Sequence, residues 1–249
     1  MNANGFEKLH GIDEMDEKQV LTLCRTAEWL TRQKLSGTIE LYRPVKVQTG
    51  RTPRQTGARR IRRTNVMKRI GILGAGTWGM ALARMLTVSG NDVLVWSAIE
   101  KEIDSLSTTR KHPNLPQMKI PDELRFTKSI EEVCKDKDIL LFAVPSVFVR
   151  STAAKARPYV ADGQIIVDVA KGIEPDTLYT MTEILADELG KEGGPKGVRL
   201  VALSGPTHAE EVAIDLPTTI VSASKDREAA AYVQEVFTNN VMRVYTNED

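Results

Sequence analysis

Ile70-Gly-Ile-Leu-Gly-Ala-Gly-Thr-Trp-Gly79 runs a short apolar segment into a Gly-x-Gly-x-x-Gly turn, and a helix-like stretch, Thr77 to Ser89, follows directly. Each glycine has a physical reason to be there. Gly74 permits the tight turn, Gly76 lets the backbone approach a pyrophosphate, and Gly79 lets the helix lie close to the strand. The free N–H groups of the helix start, with its dipole, then face the phosphates. Asn91-Asp92 leads into Val93-Leu-Val-Trp96, so strand, helix and strand fit within about 30 residues, the size of a βαβ unit. The glycine spacing alone is a weak signal. Its place between a strand and a helix is what points to a dinucleotide rather than to a purely structural turn.

The alternation continues downstream. Strands are expected at Ile139–Val144, Ile165–Val169, Val198–Leu203, Thr218–Ser222 and Met242–Tyr245, with helices from Val147, over Leu178–Leu189, near His208–Val212 and over Arg227–Phe237. The strands are continuous apolar runs rather than alternating ones, the mark of central strands covered on both faces. The expected fold is α/β: a Rossmann-type, doubly wound, mostly parallel sheet.

Upstream of Met67 the texture differs. Residues 1–66 carry 13 Lys and Arg against 7 Asp and Glu, while residues 67–249 carry 21 against 26, within a net charge of +1. One helix is expected from Asp16 to Lys34. The basic run Arg51–Arg63 is poor in large apolar side chains and reads as a disordered linker. No aromatic side chain interleaves with its arginines, so it does not read as a nucleic-acid arm, and no nucleic-acid partner is expected. The division is therefore 1–66, an N-terminal extension, and 67–249, a dinucleotide-binding domain. No run of about 18 apolar residues suggests a membrane span. Cys24 and Cys134 form neither a disulfide framework nor a zinc spacing, which fits a reducing, cytoplasmic setting.

The tip of the second strand usually carries the carboxylate that selects NAD. Here Trp96-Ser97-Ala98 stands at that tip and Glu100 comes late, on the next helix. Neither a carboxylate to repel a 2′-phosphate nor an arginine to hold one is expected, so NAD and NADP both stay open. Three further constellations follow strand ends. Phe142-Ala-Val-Pro-Ser146 leads to Phe148, which reads equally as an aromatic facing the cofactor or as core. Val169-Ala-Lys171-Gly-Ile-Glu-Pro175 places a lysine at the rim. Ser204-Gly-Pro-Thr-His-Ala-Glu-Glu211 contains a capping box, Thr207 with Glu210, and a helix start fit for a second anion. His208 with Glu211 makes only two ligands, and no metal is expected.

Together GAGTWG, FAVPS, DVAKGIEPDT, ALSGPTHAEEVA with LPTTIV, and FTNNVMRVYTNED resemble the NAD(P)-dependent glycerol-3-phosphate dehydrogenases over about Met67 to Asp249. The resemblance implies reversible, NAD- or NADP-dependent reduction of dihydroxyacetone phosphate to sn-glycerol 3-phosphate, for phospholipid backbones. It implies that Gly74, Gly76, Thr77, Trp78 and Gly79 bind the pyrophosphate, and that Lys171 touches both cofactor and substrate. Gly205 and Thr207 would line the substrate side and Ala209 the cofactor, with Phe148 beside it. Ala98 departs from the family, where a basic residue often stands. His208 is not a family catalytic position.

The same resemblance implies a proton-donating lysine in a Gly-Ala-(Leu/Val)-Lys-Asn segment and a second, all-helical domain, with a homodimer possible for the complete enzyme. Neither that segment nor that domain is found in this sequence, so no catalytic residue is assigned and a truncated chain is expected. The rivals are another two-domain Rossmann dehydrogenase, of hydroxyacid or 6-phosphogluconate type, and a dinucleotide-binding module without catalysis.

Overall fold

The strands of the chain have apolar residues at successive positions, and the reason is visible in how their side chains divide. In the computed structural model, which describes residues 67–248, Ile70, Ile72, Val93, Val95, Ile139, Leu141, Ile165 and Val167 enter one buried layer. Leu73, Leu94, Trp96, Leu140, Phe142 and Ile166, from the same strands, enter a second. Successive side chains of a strand point to opposite faces, so a strand buried on both faces is apolar throughout. The readings made for residues 1–66 lie outside the described residues.

The elements are β1 (Arg69–Leu73), α1 (Thr77–Val88), β2 (Asp92–Trp96), α2 (Glu100–Thr109), β3 (Arg125–Thr127), α3 (Ile130–Cys134), β4 (Ile139–Phe142), α4 (Val149–Ala156), β5 (Ile165–Asp168), α5 (Met181–Leu189), β6 (Arg199–Ser204), α6 (Ala209–Ala213), β7 (Thr218–Ala223), α7 (Arg227–Phe237) and β8 (Met242–Asn247). They form one sheet of order β3-β2-β1-β4-β5-β6-β7-β8. Every neighbouring pair is parallel except β6 with β7. The first layer is covered by α1, α2, α6 and α7, and the second by α3, α4 and α5. The sheet is doubly wound and mostly parallel, as expected. Strand order reverses between β1 and β4, the switch point where open α/β sheets form their ligand crevice.

Several boundaries differ from the expected ones. The strand expected over Ile139–Val144 is β4 and ends at Phe142, although the Ala143 N–H still donates to the Leu73 carbonyl (2.8 Å). The helix expected from Val147 begins as a single 3-10 turn, Ser146–Phe148, before α4. The helix expected from Leu178 starts only at Met181: Leu178 is left-handed (φ 60°), and the Glu183 carboxylate accepts both the N–H (2.7 Å) and the hydroxyl (2.8 Å) of Thr180. That capping arrangement ends the loop where apolar spacing could not. β3, with three residues, and α3, with five, were not anticipated. Among the described residues, no helix is long and apolar enough to cross a membrane.

Candidate functional site

The loops that follow β1, β2, β4, β5 and β6 share one edge of the sheet, because those strands run the same way. After β1, Gly74 adopts φ 122° and donates to the Trp96 carbonyl (2.8 Å). A side chain there would collide with the backbone of Ala143, at 2.5 Å from its carbonyl oxygen. Gly79, one turn into α1, leaves no room either: a Cβ would lie 2.2 Å from the Gly74 carbonyl oxygen. Gly76 is the opposite case. It is exposed, its φ of −66° suits any residue, and an added Cβ would meet nothing within 4 Å. A glycine kept where the fold neither needs nor forbids a side chain is the pattern expected when the space belongs to a ligand.

Thr77 and Trp78 are half-buried, with the indole packed on the first layer, so what they offer the crevice is backbone N–H of the helix start. The first N–H groups of a helix have no partner within it, and α1, at 12 residues, carries a dipole that favours an anion at this end. Gly74, Gly76, Thr77, Trp78 and Gly79 are therefore brought together as a cradle that suits a pyrophosphate.

The tip of β2 holds a carboxylate that sequence spacing did not reveal. Ser97 is buried and its hydroxyl bonds Glu102 at 2.5 Å, while the Ile99 N–H donates to the same hydroxyl at 3.2 Å. The residues of the strand itself do not announce this carboxylate, which the Ser97 hydroxyl holds at the tip. Glu102 is on α2 and returns to the strand end through the helix turn rather than along the strand.

After β4, Val147 and Phe148 are 75% and 55% exposed, which removes the core reading of Phe148. After β5, Lys171 is at the surface with its ammonium donating to the Gly205 carbonyl (2.9 Å). Partial burial lowers the pKa of that ammonium from its ordinary value. Gly205 thus joins the rim after β5 to the rim after β6, and its carbonyl also accepts the Thr207 N–H at 2.9 Å. This tight turn moves Thr207 out of the capping position. His208 is the N-cap of α6 and makes no side-chain cap bond, so the capping box at Thr207 and Glu210 does not form. Ala209 begins α6, half-buried against the first layer. Lys171, Gly205 and Thr207 are brought together.

Two further features lay beyond sequence reading. Asp168 closes β5, three residues before Lys171, and is 4% exposed. It accepts the N–H of Ala170, but its Oδ1 has no partner, and burial pushes its carboxyl up to about 7. Arg150 on α4 grips Glu174 with two bonds of 2.7 Å and also pairs with Asp187 on α5. Beside that guanidinium, and with Thr177 donating at 2.6 Å, the Glu174 carboxyl is held at about 2.

The family model described as NAD-dependent glycerol-3-phosphate dehydrogenase N-terminus matches residues 69–230. A glycerol-3-phosphate dehydrogenase [NAD(P)+] 2 of Lactobacillus delbrueckii subsp. bulgaricus is 67% identical over 183 residues, 74% of this chain and 54% of that protein. The glycerol-3-phosphate dehydrogenase [NAD(P)+] of Bacillus subtilis is 40% identical over 186 residues, 74% of this chain and 52% of the relative. Among solved structures, the glycerol-3-phosphate dehydrogenase of Coxiella burnetii superposes with a TM-score of 0.65 at 29% identity, covering 74% of this chain and 55% of the other. The chain spans about half the length of the curated relatives it matches.

Proposed function

Because the chain belongs to the family of NAD-dependent glycerol-3-phosphate dehydrogenase N-termini, we propose that it binds NADH or NADPH for the reversible reduction of dihydroxyacetone phosphate to sn-glycerol 3-phosphate. The observation that carries this reading is the open space at Gly76, set against the closed surroundings of Gly74 and Gly79. A dinucleotide, when bound, supplies the hydride. The residues of this chain bind and orient. The N–H groups of Gly76, Thr77 and Trp78 meet the pyrophosphate, and the exposed ring of Phe148, with Ala209, borders the cofactor. Lys171 leaves the Gly205 carbonyl to hold the substrate phosphate or carbonyl oxygen, with Gly205 and Thr207 lining the substrate side.

The reduced carbonyl also needs a proton. The family resemblance gives that role to a lysine in a Gly-Ala-(Leu/Val)-Lys-Asn segment, which these 249 residues do not contain. A polypeptide of these residues alone is expected to bind NADH better than it turns over substrate. NADH titration and dihydroxyacetone phosphate turnover, measured on one sample beside a longer relative, test this. The expected result is NADH binding with turnover lower by about 10²–10⁴-fold. Turnover at the relative's rate would identify a proton donor within this chain, Lys171 first. Failure to bind NADH would sink the reading altogether. Cofactor binding with no turnover at all is the second reading, a dinucleotide module without catalysis.

A further inference from the structure

His112 lies in the segment between α2 and β3, outside every motif considered above, and is 4% exposed. Its Nε2 is 3.2 Å from the carbonyl oxygen of Ala75, the middle residue of the glycine turn. Its Nδ1 accepts the Asn114 N–H at 3.2 Å. Both neighbours are backbone groups with one possible role each. A carbonyl only accepts and an amide N–H only donates, so the imidazole hydrogen is on Nε2 and points at Ala75. The ring is held from behind as well. His112 and Leu115 form an antiparallel bridge, the Leu115 N–H donates to the His112 carbonyl at 3.1 Å, and Leu115 and Met118 enter the same buried layer as Ala75.

The peptide between Ala75 and Gly76 is trans, as are all peptide bonds described. In a planar trans peptide the C=O and N–H point in opposite directions. With the Ala75 carbonyl drawn to His112, the Gly76 N–H is turned the other way, at a residue with open surroundings. The alternative is a flip of that one peptide, which would present the negative carbonyl oxygen to an incoming phosphate. Such a flip rotates φ of the following residue by about half a turn, and glycine is the residue that accepts both settings. The open glycine that makes room for a ligand thus also makes the flip cheap, and something else must choose the orientation. We infer that His112 is a positioning residue for the dinucleotide pyrophosphate: by donating to Ala75 it holds the Gly76 N–H toward the phosphates.

This inference rests on the dinucleotide reading, and its test separates the two. NADH and adenosine are titrated against the 249-residue wild type, His112→Gln and His112→Met, with thermal unfolding recorded for each. Glutamine keeps an N–H to offer Ala75, whereas methionine, of similar length, has none. The methionine variant should bind NADH about tenfold more weakly than the glutamine variant, the effect of leaving a buried acceptor unpaired beside a weakened phosphate donor. Adenosine, which has no phosphate, should bind both equally, a result that simple loss of structure would not give. In the wild type, the Gly76 amide resonance should shift on NADH addition. Equal NADH affinities for the two variants, matched losses for NADH and adenosine, or a Gly76 amide that ignores NADH would overturn the role of His112 alone. Absence of NADH binding by the wild type overturns both readings.

Discussion

Gly76 and its neighbours tell apart a glycine required by the chain from one with open space around it. Since Gly76 has an ordinary φ of −66° and no atom near its missing Cβ, Gly76→Val should fold normally. Its side chain would occupy the pyrophosphate approach, and NADH affinity should fall by at least roughly 100-fold. Unchanged affinity in a titration would mean that the loop is only a turn. Glu102 offers a test of cofactor choice. A carboxylate tied to the tip of β2 repels a 2′-phosphate, so Glu102→Gln should raise NADPH affinity relative to NADH by a few-fold; a ratio that does not move would show that the group is too far from the ribose.

Asp168 sets a pH dependence of stability. Its folded-state pKa, raised by burial to about 7 from an ordinary 3.8, means that the folded protein holds this proton where the unfolded chain has lost it. The contribution is complete below about pH 4, is lost as pH rises toward 7, and then levels off, with a total on the order of a few kcal/mol. Asp168→Asn carries no such proton. Denaturant unfolding at pH 5 and pH 8 should show a wild-type decline that is absent in the variant, and parallel declines would assign the slope to other groups.

At the scale of elements, the two rims of the crevice after β4 and β5 are joined by Arg150. Its bonds to Glu174 fasten the segment 171–180, which carries Lys171, to α4, and its bond to Asp187 adds α5. Arg150→Ala should leave the sheet folded and make that segment the first site of limited proteolysis, with NADH binding weakened several-fold. Cleavage that starts elsewhere at the wild-type rate would deny the clamp this role. None of it was visible in sequence, because an ion pair between residues 24 apart leaves no periodic trace. The long elements were legible for the opposite reason. β1, α1 and α7 bury many regularly spaced apolar side chains, whereas α2 buries only Ile103 and Leu106, and β3 is a three-residue edge strand. The glycine cradle was legible because its constraints are steric and local. Glu102, His112 and Asp168 were not, since each works through a partner or a burial that only the folded chain creates.

For the whole molecule, the break in composition at Met67 has a direct test. Residues 67–248 bury two layers on one sheet, with their own strand pairing throughout. On this ground, and on the basic composition of Arg51–Arg63, deleting residues 1–66 should change the melting temperature by less than about 2 °C and NADH affinity by less than about twofold. A large fall in melting temperature would put the boundary elsewhere. The continuous apolar strands that made a sheet covered on both faces legible also explain why the layer each side chain enters was not: burial on both sides erases the alternation by which a single face is recognised.

Lys171 spends its free state bonded to the Gly205 carbonyl. An anion that reaches this rim therefore does not supply the ammonium with its first partner. It takes the place of a neutral one, and the calorimetric heat of the event is a difference between two hydrogen bonds rather than the whole of one. The favourable part left for affinity is the charge of the newcomer and the water it sheds, so carbonyl analogues without a phosphate should find this lysine reluctant to move.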